Sequence, residues 1–169
     1  PRTVDDIQEK LHFSAPNVFR KSFARPHVTY TVQRCDNKQT ELVHILERTQ
    51  GSAVVYVRSR KRTAEIASAL HAEGITATFF HAGLNRDQKA KRQRTWMDGQ
   101  QRVMVATNAF GMGIDKPDVR LVVHIDIPSS LEEYIQEAGR AGRDGNAAQA
   151  FALCEPREAQ RLHNRITNE

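Results

Sequence analysis

The sequence has few of the features that mark a secreted or membrane-embedded protein. Its two cysteines, Cys35 and Cys154, lie far apart and form no CxxC pair, so neither a disulfide framework nor a zinc ribbon is expected. No apolar run approaches the roughly 20 residues that are needed to cross a bilayer. The early segment TVDDIQEKL is acidic and amphipathic, which is unlike a signal peptide. We therefore expect a cytoplasmic protein without a membrane partner.

The sequence also lacks the motifs with which one chain would hydrolyse a nucleotide by itself. No GxxxxGK[ST] loop occurs, so no segment is predicted to cradle the β and γ phosphates. No pair of acidic residues follows a strand in a pattern that suggests magnesium, and no serine stands in a nucleophile elbow. We therefore predict no metal site, and any nucleotide chemistry would use only half of a site.

Composition and charge are those of a single basic globular domain. The 169 residues are 39% hydrophobic, the net charge is +5 and the pI is about 9.5. This length is enough for one domain with a sizeable core. A basic excess suits a nucleic-acid partner, because neutralised phosphates release counterions, although many proteins with other functions are equally basic.

Apolar runs of strand length alternate with helical patterns along most of the chain. Such alternation predicts an α/β fold with a parallel sheet and right-handed crossovers. Residues 1–27 differ, with a short helix predicted at 4–12, and are interpreted as the end of a neighbouring unit or a connection, which leaves 28–169 as the main domain. Strands are predicted at 53–57, 76–80, 102–106, 121–125 and 149–153. Helices are predicted at 60–73 and from the cap Asn85 to about 97. Two further helices are predicted to begin after the caps Ser129 and Ser130 and at about Pro156.

Polar residues follow the first two predicted strands, at the sheet edge where ligands gather in parallel sheets. Ser59 and Arg60 lie in the RSRK segment after AVVYV, and His81 begins HAGL after TATFF. The amide groups of a helix that starts at Ser59 would suit an anion. A capping serine among solvated basic residues, and a structural histidine, explain the same pattern.

The longest loop at this edge runs from Thr107 to Arg120 and contains TNAFGMGIDKPDVR. Thr107 and Asn108 offer side-chain donors, and Asp115 offers a carboxylate that could bind a ribose hydroxyl. Gly111 and Gly113 allow close backbone approach or a positive φ. A mobile connection is the alternative, and a dinucleotide fingerprint is excluded because the third glycine is missing.

A last polar segment, QEAGRAGRDG, carries Arg140 and Arg143. If the helix continues through it, the two arginines lie about one turn apart on one face. A guanidinium pair can fork onto phosphoryl oxygens and stabilise charge in phosphoryl transfer. Equally, arginines near a helix end complement its dipole, and Gly142 or Gly145 can simply end the helix.

Five segments of the chain resemble motifs of the RecQ-family DNA helicases. The two longest, ATNAFGMGIDKPDVR and HIDIPSSLEEYIQEAGRAGRDG, resemble helicase motifs five and six. Shorter ones are AVVYVRSRK, which is similar to motif four, FFHAGL, similar to its companion loop, and SFARPHVTY, similar to the segment that joins two motor lobes. Together they cover nearly the whole chain. The form QEAGRAGRDG differs from related RNA helicases, whose sixth motif usually begins with His-Arg.

The resemblance implies a RecA-like, three-layer second lobe of a 3′-to-5′ ATP-dependent DNA helicase, in the bacterial nucleoid or a eukaryotic nucleus. ATP and magnesium would be shared with a first RecA-like lobe, without which this lobe would be inactive, and zinc would occur only in a downstream domain. Partners would be single-stranded and duplex DNA. A non-catalytic nucleic-acid-binding module on the same fold is the alternative.

The resemblance also assigns roles to individual residues. Arg143 would be the arginine finger, and Arg140 would sense phosphate or position the finger by a salt bridge. The nucleotide set would further include Asp115, Gly113 and Gln136, with Glu137 coupling the cleft to the lobe. The single-strand set would be Ser59, Arg60, His81, Thr107 and Asn108. Two departures from the family pattern are Asn108, where a small apolar residue is expected, and Ala24, where aspartate is frequent.

Overall fold

The computed structural model describes residues 25–111 and 113–158. The helix predicted at 4–12, Ala24 and most of the helix predicted from Pro156 lie outside the described residues. Residues 156–158 are helical, in agreement with the start of that last helix. No helix in the described ranges is both long and apolar enough to traverse a lipid bilayer.

Six strands form one sheet in the order β1-β6-β5-β2-β4-β3, and every neighbouring pair is parallel. The predicted parallel α/β sheet is therefore confirmed. Because all strands point the same way, their carboxyl ends meet at one edge, which is called here the carboxyl edge. The strands are β1 (Val28–Arg34), β2 (Ser52–Tyr56), β3 (Ala77–Phe80), β4 (Val103–Ala106), β5 (Val119–His124) and β6 (Ala148–Cys154).

Helices cover both faces of the sheet, which gives the three layers expected from the resemblance. One face packs against α1 and α2, through Leu42, Ile45 and Leu46 of α1 and Ile66 and Leu70 of α2. Residues of α3, α4 and the loop after β4 pack on the other face. The bounds are α1 (Lys38–Arg48), α2 (Arg60–Ala72), α3 (Arg86–Met97) and α4 (Leu131–Ala138).

Each helix begins at a polar cap that the sequence supplies. The side chains of Asn37, Ser59, Asn85 and Ser130 each accept a hydrogen bond from a backbone N–H in the first turn. At Asn85 the bond is reciprocal, because the side chain of Gln88 accepts from the backbone of Asn85, as in a capping box. The caps predicted at Asn85 and at Ser129 or Ser130 are therefore confirmed, with Ser130 as the capping residue of the pair.

Two elements, β1 and α1, were not predicted from the sequence. β1 is an edge strand with one buried residue, Val28, and several exposed ones, so it lacks the apolar run that marked the other strands. α1 carries charged residues throughout, and even Lys38 is buried, with its ammonium group donating to the carbonyl of Ile125. The sheet therefore has one more strand at its edge than the sequence indicated.

The helix of the QEAGRAGRDG segment ends before its arginines. α4 stops at Ala138, and Gly139 caps it, so the helix does not continue through the segment and Arg140 and Arg143 do not share a helical face. The capping glycine is also neither Gly142 nor Gly145. An added Cβ at Gly139 would lie 2.7 Å from the carbonyl oxygen of Ile135, so this position has no room for a side chain. Both arginines stand on the turns that follow.

Candidate functional site

All five residues predicted to contact a nucleic-acid strand follow strands that end at the carboxyl edge. Ser59 and Arg60 come after β2, His81 after β3, and Thr107 and Asn108 after β4. β2, β4 and β3 are consecutive neighbours in the sheet. The fold therefore brings these residues to one continuous stretch of the edge.

Ser59 and Arg60 stand where β2 turns into α2. Ser59 is the N-cap, and its hydroxyl accepts from the backbone N–H of Arg62 at 3.4 Å. The interpretation of Ser59 as a capping serine is therefore confirmed, while its contact with a nucleic-acid strand stays a prediction. Arg60 is exposed and its guanidinium lies beside Gly83, close to His81. The start of α2 thus presents backbone N–H groups and a cation to the same space.

His81 is held by its own loop in one orientation. Its Nδ1 accepts a hydrogen bond from the backbone N–H of Gly83 at 3.1 Å, and its ring stacks on Phe79. Burial, together with the nearby cations Arg60 and Arg92, lowers the pKa of His81. The imidazole is therefore neutral at neutral pH with its proton on Nε2, which leaves an N–H donor rather than a charge for a partner.

Thr107 and Asn108 differ in accessibility although they are neighbours. Thr107 is buried at 6% exposure and its backbone N–H donates to the carbonyl of Phe80, so its position is tied to the end of β3. Asn108 is exposed and its amide donates to Glu133 of α4 at 3.3 Å. Of the two, Asn108 has the side chain that can reach a bound nucleic-acid strand.

A cleft of about 240 Å³ opens beside Asn108 and contains residues that sequence reasoning missed. Asp126 accepts from the backbone N–H of Arg58 at 2.9 Å and from the guanidinium of Arg62 at 3.2 Å. Glu133 accepts from the backbone N–H and the hydroxyl of Ser129, which lower its pKa. The signal was present, because Asp126 directly follows the LVVHI run and Glu133 stands three residues after the Ser130 cap.

The second group of candidates surrounds Arg140. Its guanidinium donates to two backbone carbonyls of the loop after β4, at 2.7 Å to Gly111 and 3.1 Å to Ile114. Gly111 and Gly113 both have positive φ, +130° and +79°, as predicted. Arg140 therefore fixes the path of this loop through backbone carbonyls.

Arg143 pairs with the predicted ribose ligand. Its Nη1 lies 3.1 Å from Oδ1 of Asp115, and its Nε donates to the carbonyl of Gly139 at 3.4 Å. The side chains are 38% and 73% exposed, so this ion pair contributes only about 0–1 kcal/mol. An anion can therefore replace the Asp115 carboxylate at little cost. Gln136 is exposed on α4 and joins neither contact.

Asp115 and the arginine turns do not lie at the carboxyl edge, where the whole loop was expected. The loop leaves that edge at Thr107 but runs along the sheet toward the start of β5. There the backbone N–H of Gly142 donates to the carbonyl of Val119, and that of Asp144 donates to Pro117. The lobe thus has two separate groups of candidates. The strand edge comprises Ser59, Arg60, His81, Thr107 and Asn108, and the arginine turn comprises residues 139–144 with Arg140 and Arg143.

A buried polar group lies between the strand edge and the arginine turn. His124, at the end of β5, pairs with Glu137 of α4 at 2.7 Å and stacks on Tyr56. His124 is fully buried, and burial raises the pKa of Tyr56 well above its ordinary value. Glu137 also lines the cleft beside Asn108. The predicted coupling residue Glu137 is therefore placed at the contact between α4 and the sheet.

The described residues do not bring together three or more His, Cys, Asp or Glu side chains that could hold a metal ion. Cys35 and Cys154 are both free thiols. Burial and the neighbouring Glu41 raise the pKa of Cys35, so it is a weak ligand at neutral pH.

Comparison with known proteins identifies the lobe. The family described as "Helicase conserved C-terminal domain" matches residues 37–145. The chain belongs to this helicase family. Its relatives show that it is the RecQ type of helicase C-terminal lobe, as the motifs indicated.

The relatives of this RecQ-type lobe are much longer proteins. The ATP-dependent DNA helicase RecQ of Pasteurella multocida is 40% identical over 95% of this chain and 26% of its own length. RecQ of Bacillus subtilis is 37% identical over 94% of the chain and 27% of its own length. The RecQ-like DNA helicase BLM of Xenopus laevis is 36% identical over the whole chain but only 13% of its own length. The chain thus spans about a quarter or less of these relatives.

Solved structures confirm the RecA-like fold of the RecQ-type lobe. Dbp5 of S. cerevisiae, in a complex with Gle1 and IP6, superposes with a TM-score of 0.80 at 21% identity, over 99% of this chain and 45% of that one. The C-terminal domain of the DEAD-box protein Dbp5 gives a TM-score of 0.70 at 23% identity, over 84% of both chains. At these identities the likeness concerns the fold alone.

Proposed function

We propose that the chain is the second motor lobe of an ATP-dependent 3′-to-5′ DNA helicase and supplies its arginine finger and part of its single-strand path. The observation that carries this proposal is the environment of Arg143. Its guanidinium is partly exposed, on a turn held by backbone contacts, and its only carboxylate partner among the described residues is the exposed Asp115.

The contacts of the arginine turn suit it to meet a nucleotide that is bound mainly elsewhere. Arg143 would exchange Asp115 for the γ-phosphate, where a finger stabilises the charge that develops during phosphoryl transfer. Asp115, once released, would accept from a ribose hydroxyl. Arg140 holds the loop through two carbonyls, so its role is to position the turn on which Arg143 stands. Gly113 and Gln136 would border the nucleotide.

The strand edge suits a partner that is recognised through its phosphates. Arg60 offers a cation, His81 a neutral Nε2–H donor, and α2 the N–H groups of its first turn, with Ser59 at the cap. Asn108 would release Glu133 to meet the strand, whereas Thr107, being buried, would contribute mainly by fixing the loop. Contacts of this kind position a single strand without reading its sequence.

ATP and magnesium fit this lobe only in part. Arg143 and Asp115 would serve as arginine finger and ribose ligand, but the described residues contain no cluster that would hold a metal, and the sequence has no phosphate loop. We therefore propose that a first RecA-like lobe supplies both. ATP binding would draw two such lobes together and hydrolysis would release them. Because each lobe grips the strand separately, the cycle would produce stepping.

Replacing the finger tests the proposal directly. In the complete helicase, Arg143→Ala should lower the ATP turnover number by about 10³- to 10⁵-fold, because the developing charge loses its cation. Single-strand affinity should stay nearly unchanged, since Arg143 lies away from the strand edge. The measurement is DNA-stimulated ATPase activity together with fluorescence anisotropy of a labelled oligonucleotide.

Arg48→Ala is the matched control, because Arg48 is an exposed arginine at the end of α1 whose only ion pair among the described residues is a long one with Glu41. It should keep full turnover. Normal turnover in Arg143→Ala would refute the finger assignment.

A second experiment examines the strand edge. Arg60→Ala should weaken single-strand binding and reduce the slope of log K against log salt by about 0.7, the share of one phosphate contact on a single strand. Arg94→Ala removes the same charge from the last turn of α3, near the amino ends of the strands, and should leave the slope unchanged. If the salt slope is the same in wild type and in Arg60→Ala, Arg60 does not contact a phosphate of the bound DNA.

A further inference from the structure

Two residues that precede β1 hold the arginine turn from the side opposite to Arg140. The guanidinium of Arg25 forks onto two backbone carbonyls, donating from Nη1 to Gly139 and from Nη2 to Gly142 at 2.9 Å. The imidazole of His27 donates to the same Gly142 oxygen at 2.7 Å. Arg25 and His27 are called here the clamp. The clamp joins a segment more than 110 positions away in sequence to the turn that carries Arg143.

The clamp and the proposed finger meet at one atom. The carbonyl oxygen of Gly139 accepts from Nη1 of Arg25 and, at 3.4 Å, from Nε of Arg143. A carbonyl oxygen has two lone pairs and can serve two donors. Because Gly139 caps α4, no further helical turn follows to use its carbonyl. The clamp therefore fixes the oxygen against which the Arg143 side chain is oriented.

The arginine turn needs such support because its own helix has ended. Gly142 has a φ of +59°, and an added Cβ would lie 2.8 Å from the carbonyl oxygen of Asn146 and 3.1 Å from the His27 ring. On the other side, Arg140 donates to two carbonyls of the loop after β4. The turn is thus held between Arg140 and the clamp, and Arg143 extends from its end.

We propose that Arg25 is a positioning residue for ATP hydrolysis, which sets the orientation of Arg143 through the carbonyl of Gly139. This inference rests on the proposed function of Arg143. Arg25 touches no reacting atom, so its effect should appear in the turnover number and not in the affinity for ATP or DNA. The segment that carries Arg25 also resembles the connection between the two lobes, so the clamp links the path of that connection to the finger.

The test compares Arg25→Ala with Arg102→Ala in the complete helicase. Arg102 is a matched arginine clamp, since its guanidinium donates to the carbonyls of Gly51, Leu46 and Thr49, but it holds the turn between α1 and β2. Both variants lose a fork onto backbone carbonyls and should lower the melting temperature. Only Arg25→Ala should lower kcat for ATP, by about 10- to 100-fold as expected for a misplaced catalytic group, with KM and single-strand affinity unchanged.

Two further variants separate positioning from general destabilisation. Arg25→Lys keeps the charge and can donate to one carbonyl, so it should restore part of the lost kcat. In an Arg143→Ala background, Arg25→Ala should cause no further loss, because the group that it orients is gone.

Each outcome has a distinct meaning. If Arg25→Ala keeps wild-type kcat, or if its loss equals that of Arg102→Ala, or if it adds fully to Arg143→Ala, the positioning role is overturned. If Arg143→Ala itself keeps normal turnover, the proposed function fails, whatever Arg25 does. The inference is supported if Arg25→Ala lowers kcat, Arg102→Ala does not, and Arg25→Ala causes no further loss in the Arg143→Ala background.

Discussion

At the scale of single residues, the loop after β4 depends on the absence of a side chain at Gly111. The carbonyl of Gly111 accepts from Arg140, and an added Cβ would lie 1.9 Å from Nη2 of that arginine. Gly113 also has a positive φ, but nothing lies within 4 Å of its Cβ position. The two glycines of this loop therefore meet different requirements. Gly113 is needed for its positive φ, whereas Gly111 is needed both for its positive φ and to leave room for the guanidinium of Arg140.

Alanine at each glycine should separate these requirements. Gly113→Ala should destabilise the lobe by ~1–3 kcal/mol from backbone strain alone. Gly111→Ala should cost about 1.5–3 kcal/mol more, because Arg140 must also give up hydrogen bonds to the loop. Urea unfolding of the 169-residue chain, followed by the fluorescence of its single tryptophan, measures both. Equal losses in the two variants would show that Arg140 finds other partners at no cost.

The sequence singled out the residues of the candidate site, but it did not indicate which residues they contact. Arg143 and Asp115 both stood out as polar residues near glycines, yet their ion pair joins positions 28 residues apart. Such a pair depends on where two loops meet, and no local pattern encodes that. For the same reason Arg25 and Arg102 gave no signal, since their partners are backbone carbonyls, which every residue has.

At the scale of secondary structure, the stability of α3 depends more on contacts at its two ends than on burial of one of its faces. It has a single buried residue, Trp96, whose indole donates to the carbonyl of Ala53 at 3.2 Å. The rest of the helix is strongly charged and gains little from burial. The capping box of Asn85 and Gln88 at the other end therefore has a larger share in keeping the helix formed.

Removing that cap should be measurable. Asn85→Ala leaves first-turn N–H groups of α3 without an acceptor and should lower the free energy of unfolding by about 1 kcal/mol. Asn85→Ser, which keeps an acceptor, should lose much less. Chemical denaturation detected at Trp96 provides the measurement. An unchanged midpoint for Asn85→Ala would mean that Trp96 alone anchors the helix.

Elements with a regular apolar pattern could be predicted, and those at the edge of the sheet could not. β2, β4 and β5 are buried on both faces, so their apolar runs are plain in the sequence. β1 exposes Tyr30 and Val32 and alternates them with polar residues, which an edge strand shares with many loops. The end of α4 at Ala138 could not be read from the sequence, because the residues that follow Gly139 are as compatible with a helix as those before it.

At the scale of the whole molecule, the lobe carries the proposed arginine finger without a phosphate loop or, within the described residues, a metal cluster beside it. The arginine turn supplies cations, whereas neither the sequence nor the described residues supply a phosphate loop or a metal cluster. The relatives, of which the chain spans about a quarter, leave ample length for a second lobe. Activity should therefore require both lobes.

Mixing the lobes tests this division. The 169-residue chain alone should show no DNA-stimulated ATPase activity, and adding a separately prepared first lobe should produce activity that Arg143→Ala abolishes. Association of the two is confirmed by analytical ultracentrifugation, and Arg48→Ala again serves as the control. No activity in a mixture that does associate would favour a binding module without catalysis. Activity of the isolated chain would contradict the split site.

The pairing of β1 with β6 also determines how the lobe bears mechanical load. The two strands are parallel and in register over seven pairs, from Val28 opposite Ala148 to Arg34 opposite Cys154. Tension between the chain before Val28 and the chain after Cys154 would pull them in opposite directions along their length. That geometry shears the whole ladder at once instead of unzipping it bond by bond. Force transmitted through this lobe would thus be shared by all the hydrogen bonds between β1 and β6.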